Sequence, residues 1–267
     1  MSASAEVRAL FRLDGCAAFV SGAAGHLGRA MTAALCEAGA HVVVNGRDEK
    51  RLADFAEELT RAGHSVEAAV FDMGDVEAVR DYFSARNRLD ILVNNAVSMT
   101  PAPFDALEPT AFEQTYRSSV TAAFEAARAA RPALTAAVAA RGDASIVNVS
   151  SMYAVVAPDA RIYARPEQAS PAHYGAAKAA LLQLTRHLAA EMGPDGIRVN
   201  ALVPGPFPNA EVKAADPGFA VRLAGRTMLG RTGKAEEIRG PLLFLAASAS
   251  RFVTGASLAV DGGWTAW

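Results

Sequence analysis

The chain has 267 residues, of which 51% are hydrophobic and 20% are charged, and its 26 basic and 28 acidic side chains give a formal charge of −2. This composition supplies apolar surface for a large core and excludes a mainly disordered chain. Because the charges nearly balance, nothing indicates a nucleic-acid or membrane-surface partner.

Short apolar runs alternate along the chain with longer amphipathic segments. Seven runs have the length and β-branched content of strands: Ala17–Ser21, His41–Asn45, Val66–Phe71, Ile91–Asn94, Ser145–Val149, Ile197–Val203 and Ser257–Val260. Six segments have helical length: Leu27–Ala38, Glu49–Ala62, Val76–Arg86, Ala111–Ala140, Ala172–Met192 and Ala235–Ala247. The alternation predicts a Rossmann-type doubly wound α/β fold, with a parallel sheet and helices on both faces. No linker-like stretch divides residues 1–267, so we interpret them as one domain, with candidate substrate loops at 152–171 and 204–228.

Glycines follow the first predicted strand, where the chain reads SGAAGHLG before a helix. Glycines there permit a tight turn and close backbone approach to a pyrophosphate, and a helix N-terminus favours the anion. The alternative is an ordinary glycine turn. The position after the first strand favours nucleotide binding, by Ser21, Gly22, Gly25, His26, Leu27 and Gly28.

The end of the second strand bears on the choice of cofactor. An acidic residue there would select NAD, whereas this chain has Gly46 followed by Arg47. A guanidinium suits a 2′-phosphate, so we favour NADP(H) over NAD(H). The alternative is a solvated arginine that opens a helix.

Tyr174 and Lys178 are four residues apart and therefore share one helix face. A nearby cation favours the phenolate, so we expect Lys178 to lower the pKa of Tyr174 and make it an acid–base group. Ser150 and Ser151 close the fifth strand, where a hydroxyl could bind a substrate carbonyl. Chance spacing of Tyr and Lys, and a serine turn, are the alternatives.

Other catalytic centres have little support in the sequence. The five histidines and the two cysteines, Cys16 and Cys36, form no metal-ligand spacing, so we expect no metal site. No nucleophile elbow indicates a hydrolase. Both cysteines have apolar neighbours in the sequence, which favours a reduced protein over a disulfide framework. We find no signal-peptide pattern and no apolar run long enough to span a membrane, so we expect a cytoplasmic protein.

These motifs together resemble those of the short-chain dehydrogenase/reductase family over nearly the whole chain. The matching residues are the glycine turn at 21–28, Asp72-Met73, Asn94-Asn95-Ala96, Ser151, Tyr174 with Lys178, Arg198-Val199-Asn200, Pro204-Gly205 and Asp261-Gly262-Gly263. The resemblance implies a nicotinamide cofactor and a homo-oligomer, either a dimer or a tetramer.

The resemblance also implies roles for individual residues. Asp72 and the Met73 backbone would lie at the adenine, and Asn95 and Ala96 beside the ribose. Tyr174 would be the acid–base, assisted by Lys178, which would also bind the nicotinamide ribose, while Ser151 would orient the carbonyl. Three residues would flank the nicotinamide: Pro204, Gly205 and Phe207.

Four positions depart from the family pattern. His26 stands where single-domain members have glycine, Ser21 replaces threonine, and Val97 replaces the glycine after Asn-Asn-Ala. Ser119 replaces an asparagine that supports a proton-relay water through a carbonyl of a locally distorted helix. We expect the turn to bind pyrophosphate still and Ser119 to serve in the relay.

The interval between Ser151 and Tyr174 is longer than usual and is similar to that of gluconate 5-dehydrogenase-type sugar dehydrogenases. If it is extended, Arg161, Tyr163 and Arg165 project from one side and could hold an acidic substrate. The alternative is that these arginines are solvated, pair with acids such as Asp159 and Glu167, or lie at a subunit interface.

The sequence therefore predicts an NADP(H)-dependent enzyme that interconverts a secondary alcohol and a ketone on a polar small molecule. Two alternatives stay open. The spacing at 21–28 also occurs in sugar-nucleotide epimerases and dehydratases that hold NAD tightly, and the changes at Val97 and Ser119 are compatible with a non-catalytic cofactor-binding regulator.

Overall fold

The computed structural model describes residues 3–165 and 168–267, with side chains from residue 6 onward. Its strands are β1 (Ala17–Val20), β2 (His41–Gly46), β3 (Val66–Val70), β4 (Ile91–Asn94), β5 (Ala144–Val149), β6 (Ile197–Pro204) and β7 (Ser257–Val260). Its α-helices are α1 (Ala3–Ala9), α2 (His26–Glu37), α3 (Glu49–Arg61), α4 (Val76–Ser84), α5 (Pro109–Tyr116), α6 (Ala122–Arg141), α7 (Ala172–Met192), α8 (Ala210–Ala215), α9 (Pro217–Ala224) and α10 (Arg239–Ala246).

The seven strands form one parallel sheet in the order β3-β2-β1-β4-β5-β6-β7. This arrangement confirms the predicted doubly wound α/β fold. The strand order reverses between β1 and β4, so the loops after these two strands diverge and leave a crevice at the carboxyl edge of the sheet. Ligands bind at such crevices in open α/β sheets.

The core has two layers because successive strand residues point to opposite faces of the sheet. In β1, Ala18 and Val20 join the cluster under α2, α3 and α10, whereas Phe19 joins the cluster under α4, α6 and α7. Strands β4, β5 and β6 are buried along their whole length, as expected for parallel strands that helices cover on both faces.

Some helix predictions need correction. The predicted helix 111–140 is interrupted by a π-helical turn at Arg117–Thr121, which separates α5 from α6. The predicted helix 235–247 begins as a 3₁₀ turn and becomes α-helical at Arg239. Helices α1, α8 and α9 were not predicted. Asn209 and Asp216 cap α8 and α9 by accepting backbone N–H bonds, which stabilises short helices in a proline-rich stretch.

No helix within the described ranges, 3–165 and 168–267, combines the length and apolar character needed to cross a bilayer.

Candidate active site

A cleft with a volume of about 630 Å³ lies at the carboxyl edge of the sheet, at the crevice between β1 and β4. Most of the predicted site residues line it: Gly22, Gly25, His26, Leu27, Gly28, Arg47, Asp72, Met73, Asn95, Ala96, Ser151, Tyr174, Lys178, Pro204, Gly205 and Phe207. Residues far apart in sequence thus meet in one cavity because the carboxyl ends of parallel strands share an edge. Four predicted residues lie outside its lining: Ser21, Ser119, Arg161 and Tyr163.

The glycine turn forms one end of the cleft. Gly22 has a φ of +62°, and a Cβ on Gly28 would lie 2.2 Å from the Gly22 carbonyl oxygen, so the turn and the first turn of α2 are in direct backbone contact. Gly25 precedes α2 without a side-chain cap, which leaves the first N–H groups of the helix open to the cleft. A narrow cradle of this kind, with an uncapped helix N-terminus, fits a pyrophosphate group.

Ser21 and Asn95 hold the glycine turn from behind. The Ser21 hydroxyl accepts hydrogen bonds from the Asn95 and Ala96 N–H groups at 2.9 and 3.0 Å, and it donates to the Val93 carbonyl at 3.3 Å. The Asn95 amide donates to the Ser21 and Gly22 carbonyls. The hydroxyl that replaces threonine therefore joins the ends of β1 and β4 rather than facing the cleft.

At the glycine-turn end of the cleft, the facing wall is formed by the turn after β2. Arg47 and Asp72 are both exposed, and Arg47 Nη1 lies 3.8 Å from Asp72 Oδ2. Arg51 also lines the cleft, where its Nη2 donates to the Ala24 carbonyl at 2.8 Å. The carboxylate of Asp48 accepts the Arg51 N–H and caps α3, which fixes the start of the helix that carries Arg51.

The opposite end of the cleft carries Ser151, Tyr174 and Lys178. Strand β5 and helix α7 are tied together here, because Lys178 Nζ donates to the Val149 carbonyl at 2.8 Å and the Ser150 hydroxyl donates to the Lys178 carbonyl at 2.9 Å. Lys178 is buried, and its Nζ lies 5.8 Å from the centre of the Tyr174 ring. A phenol, an ammonium and a hydroxyl converge there.

Burial is the largest influence on the pKa values of Tyr174 and Lys178. It raises the pKa of Tyr174, a shift that a hydrogen bond with Ser151 opposes, and it lowers the pKa of Lys178 to about 8. The pKa of Tyr174 is therefore raised rather than lowered in this structure, and the effect of the Lys178 charge on the phenol stays a prediction. The ammonium bonds to the Val149 carbonyl, and desolvation of the phenol outweighs its hydrogen bond with Ser151.

Ser119 lies within the π-helical turn, so the helix is locally distorted at the predicted position. The Ser119 hydroxyl donates to the Thr115 carbonyl at 2.7 Å and is buried. Its neighbour Ser118 lines the cleft instead, and accepts the Ser98 N–H at 2.9 Å.

The segment before α7 is not extended at Arg161, where a 3₁₀ turn spans Ala160–Ile162. Arg161 is exposed and forms an ion pair with Asp159 at 2.8 Å. The Tyr163 hydroxyl bonds to the Tyr153 hydroxyl at 2.6 Å, and its ring packs on Phe219. The prediction of one projecting row is thus wrong, and the Asp159 pair is the alternative foreseen for Arg161. Glu167 lies outside the described residues. A substrate role for Arg161 and Tyr163 stays a prediction.

The end of β6 closes the cleft from the remaining side. The Gly205 N–H donates to the Val260 carbonyl of β7 at 3.0 Å, and the Pro206 carbonyl accepts the Gly233 N–H at 2.9 Å. These bonds fix the two residues that precede Phe207, which also lines the cleft.

Several lining residues were missed by the sequence analysis: Ala24, Asn45, Asp48, Arg51, Leu52, Phe71, Val97, Ser98, Ser118 and Val149. Arg51 carried a usable signal, since it is a second arginine, in the first turn of the helix that follows Arg47. Ser98 and Ser118 carried none, because they meet only through the fold.

Known proteins match this chain along most of its length. A family model described as enoyl-(acyl carrier protein) reductase matches residues 22–265. Gluconate 5-dehydrogenase from Gluconobacter oxydans is 35% identical over 262 residues, which cover 96% of this chain and 97% of that protein. Galactitol 2-dehydrogenase (L-tagatose-forming) from Cereibacter sphaeroides is 37% identical and covers 98% and 100% of the two chains.

The fold also matches solved structures. A gluconate 5-dehydrogenase from Burkholderia cenocepacia, crystallised with NADP and tartrate, superposes with a TM-score of 0.83 at 36% identity, covering 98% of this chain and 99% of that one. The family model covers most of the chain, and the relatives are similar over nearly its whole length. These similarities establish that the chain is an oxidoreductase of the short-chain dehydrogenase/reductase family.

Proposed function

We propose that the protein is an NADP(H)-dependent oxidoreductase that interconverts a secondary alcohol and a ketone on a polar small molecule, with Tyr174 as the acid–base. The observation that carries this proposal is the meeting of Ser151, Tyr174 and Lys178 at one end of a cleft whose other end is the glycine turn. A nicotinamide cofactor bound along this cleft supplies or accepts the hydride.

The three side chains have complementary tasks at the substrate oxygen. The Tyr174 hydroxyl gives its proton to this oxygen in reduction and takes it back in oxidation. The Ser151 hydroxyl donates a hydrogen bond that stabilises the developing alkoxide. Lys178 lies 5.8 Å from the ring centre and stabilises the deprotonated phenol by its charge. Ser119, in the distorted helix, is proposed to support the proton relay.

NADP(H) is proposed over NAD(H) because arginines surround the end of the cleft where β2 stops. Arg47 and Arg51 both line it, and position 46 is a glycine rather than a carboxylate. The related gluconate 5-dehydrogenase structure with bound NADP supports the same choice. Asp72 and Met73 are proposed to contact the adenine, and Asn95 and Ala96 the ribose.

A polar, hydroxylated substrate is supported by the relatives named gluconate 5-dehydrogenase and galactitol 2-dehydrogenase and by the tartrate in the related structure. The test is a panel of polyols, sugar acids and cyclic alcohols with NADP⁺, followed by the near-ultraviolet absorbance of the reduced cofactor. The proposal is supported if the purified protein turns over one of these compounds and the Tyr174→Phe variant does not. Tight NADPH binding without turnover of any alcohol or ketone would favour the regulator alternative.

We also propose that the protein is cytoplasmic and forms a homo-oligomer, a dimer or a tetramer. Large apolar side chains are exposed on the single chain, among them Leu229, Phe252 and Trp267. These side chains are proposed to belong to contact surfaces, since contiguous exposed apolar patches mark such surfaces. Light scattering of the purified protein tests the proposal, and a mass of one 27.8 kDa chain would contradict it.

A further inference from the structure

The loop after β4, at residues 97–100, is held by side chains of two helical segments. Both backbone groups of Ser98 are bound: its N–H donates to Ser118 Oγ at 2.9 Å, and its carbonyl accepts from Thr115 Oγ1 at 2.9 Å. Val97 and Ser98 line the cleft, as does Ser118. The position of this part of the cleft wall therefore depends on polar side chains behind it.

His173 completes this arrangement from α7. Its Nε2 lies 3.2 Å from the Thr100 carbonyl, and its Nδ1 lies 3.0 Å from Thr115 Oγ1. Since a carbonyl only accepts, Nε2 carries a proton. The ring also meets Phe112 of α5 edge-on, with 5.8 Å between the ring centres. One imidazole thus joins the loop, α5 and the helix that carries Tyr174.

The placement of His173 excludes direct contact with substrate. Its side chain is buried, with 1% of the residue exposed, and it does not line the cleft. His173 immediately precedes Tyr174 in α7. If its contacts are lost, the position of loop 97–100 relative to the Tyr174 hydroxyl changes. The Thr115 hydroxyl donates its single proton to the Ser98 carbonyl, and the same oxygen lies 3.0 Å from His173 Nδ1, so the position of Thr115 depends on both neighbours.

We propose that His173 is a positioning residue, which acts through Thr115 and Thr100 to hold residues 97–100 as the substrate-side wall of the cleft. The kinetic part of this proposal rests on the proposed oxidoreductase function. The structural part does not, because the contacts of His173 define the order of the loop in the absence of any reaction.

The kinetic test compares His173→Leu and Thr115→Val with the wild type. Both variants are expected to raise the KM for the alcohol substrate by roughly 2- to 10-fold, as for loss of an ordinary hydrogen bond, and to leave the Kd for NADPH unchanged. His173→Gln keeps a donor near the Thr100 carbonyl and is expected to restore KM. Thr32→Val is the matched control, because it removes a buried threonine hydroxyl that has no partner.

The second test is hydrogen–deuterium exchange of peptides that contain residues 98–100. Exchange is expected to be faster in His173→Leu and Thr115→Val than in the wild type and Thr32→Val. The Thr100 or Ser98 carbonyl loses its partner in these variants, so the loop opens more often and the bond from the Ser98 N–H to Ser118 breaks with it. If His173→Leu does not fold, Thr115→Val carries the same expectation with an almost unchanged shape.

Unchanged exchange and unchanged KM, even with a lower melting temperature, would overturn the positioning role and leave His173 a stabilising core residue. Faster exchange in a protein that turns over no alcohol would support the positioning role and contradict the proposed function instead.

Discussion

Tyr174 and Lys178 illustrate at the scale of single residues how burial modifies what a motif predicts. The spacing of four residues correctly indicates that both side chains belong to one helix, which extends over Ala172–Met192. It carries no information about desolvation, which raises the pKa of the phenol and lowers that of the ammonium. The residue types could therefore be predicted from the sequence, whereas their protonation required the surrounding core.

Removal of the Tyr174 hydroxyl tests the acid–base assignment. Tyr174→Phe is expected to lower kcat by roughly 10²- to 10⁴-fold, the usual contribution of general acid–base catalysis. The Kd for NADPH should change little, because the ring remains and the glycine turn is distant. Fluorescence titration and steady-state kinetics measure the two effects. Turnover equal to that of the wild type would refute the assignment.

Lys178 is expected to reduce the stability of the cofactor-free protein at neutral pH. Its pKa is about 8 when folded and 10.5 in the reference state, so the unfolded chain binds the proton more strongly. The destabilisation is complete below pH 8 and disappears as the pH rises towards 10.5. At about 1.4 kcal/mol per pKa unit, it amounts to roughly 3 kcal/mol, from which the lost bond to Val149 must be subtracted in a variant.

The measurement is urea unfolding of the wild type and Lys178→Met at several pH values. The free energy of unfolding of Lys178→Met minus that of the wild type should fall as the pH rises from 8 to 10. The other titrating groups are common to both proteins and largely cancel. A difference that is independent of pH would contradict the effect of burial on Lys178.

At the scale of elements, the helix predicted at 111–140 shows where periodicity stops being informative. The alanine-rich α6 packs its small side chains against the sheet, as its composition suggested. Periodicity could not reveal the π-helical turn at Arg117–Thr121, because the alanine-rich segment that follows it has too weak an amphipathic pattern to show a change of phase. That turn places Ser118 in the cleft and turns Ser119 inward, so the element's irregularity decides which serine faces the ligand site.

The contact between the glycine turn and α2 is expected to be intolerant of a side chain. A Cβ at position 28 would lie 2.2 Å from the Gly22 carbonyl oxygen, so Gly28→Ala must displace backbone that lines the cleft. Overpacking costs about 1–3 kcal/mol, and the Kd for NADPH should rise roughly tenfold or more. Gly240→Ala in α10 is the matched control, since its Cβ would meet nothing within 4 Å. Equal affinity in the two variants would show that the turn does not bind the cofactor.

The β2–α3 turn is expected to determine the cofactor preference. The double variant Gly46→Asp, Arg47→Leu introduces a carboxylate and removes one guanidinium, so kcat/KM should shift from NADPH towards NADH. Arg51 keeps its bond to the Ala24 carbonyl in this variant, which makes the shift partial. Adding Arg51→Leu should increase the shift. A wild type that strongly prefers NADH would contradict the premise.

At the scale of the whole molecule, the doubly wound parallel sheet could be predicted from the sequence, but the substrate segment could not. Seven apolar runs separated by helical segments leave few topologies, and the right-handed crossover rule selects the doubly wound one. The stretch at 152–171 has no periodicity, so its 3₁₀ turn and the Tyr153–Tyr163 bond depend on packing against α9. The local sequence pattern was sufficient to predict the strands and helices of the sheet, whereas the conformation of the loops depends on contacts between residues far apart in sequence.

Cofactor binding is expected to stabilise the entire fold, because the cleft is lined by residues from 22 to 207 and unfolding destroys it. At a concentration of 100 times Kd, NADPH should add about 2.7 kcal/mol to the free energy of unfolding. For a domain of this size, this corresponds to a rise in Tm of roughly 5–10 °C. NADH at the same concentration should give a smaller rise, since it lacks the phosphate that Arg47 and Arg51 would bind. Gly28→Ala should reduce both shifts, and Gly240→Ala neither. Thermal unfolding monitored by circular dichroism measures each Tm, and equal shifts with NADPH and NADH would contradict the proposed preference.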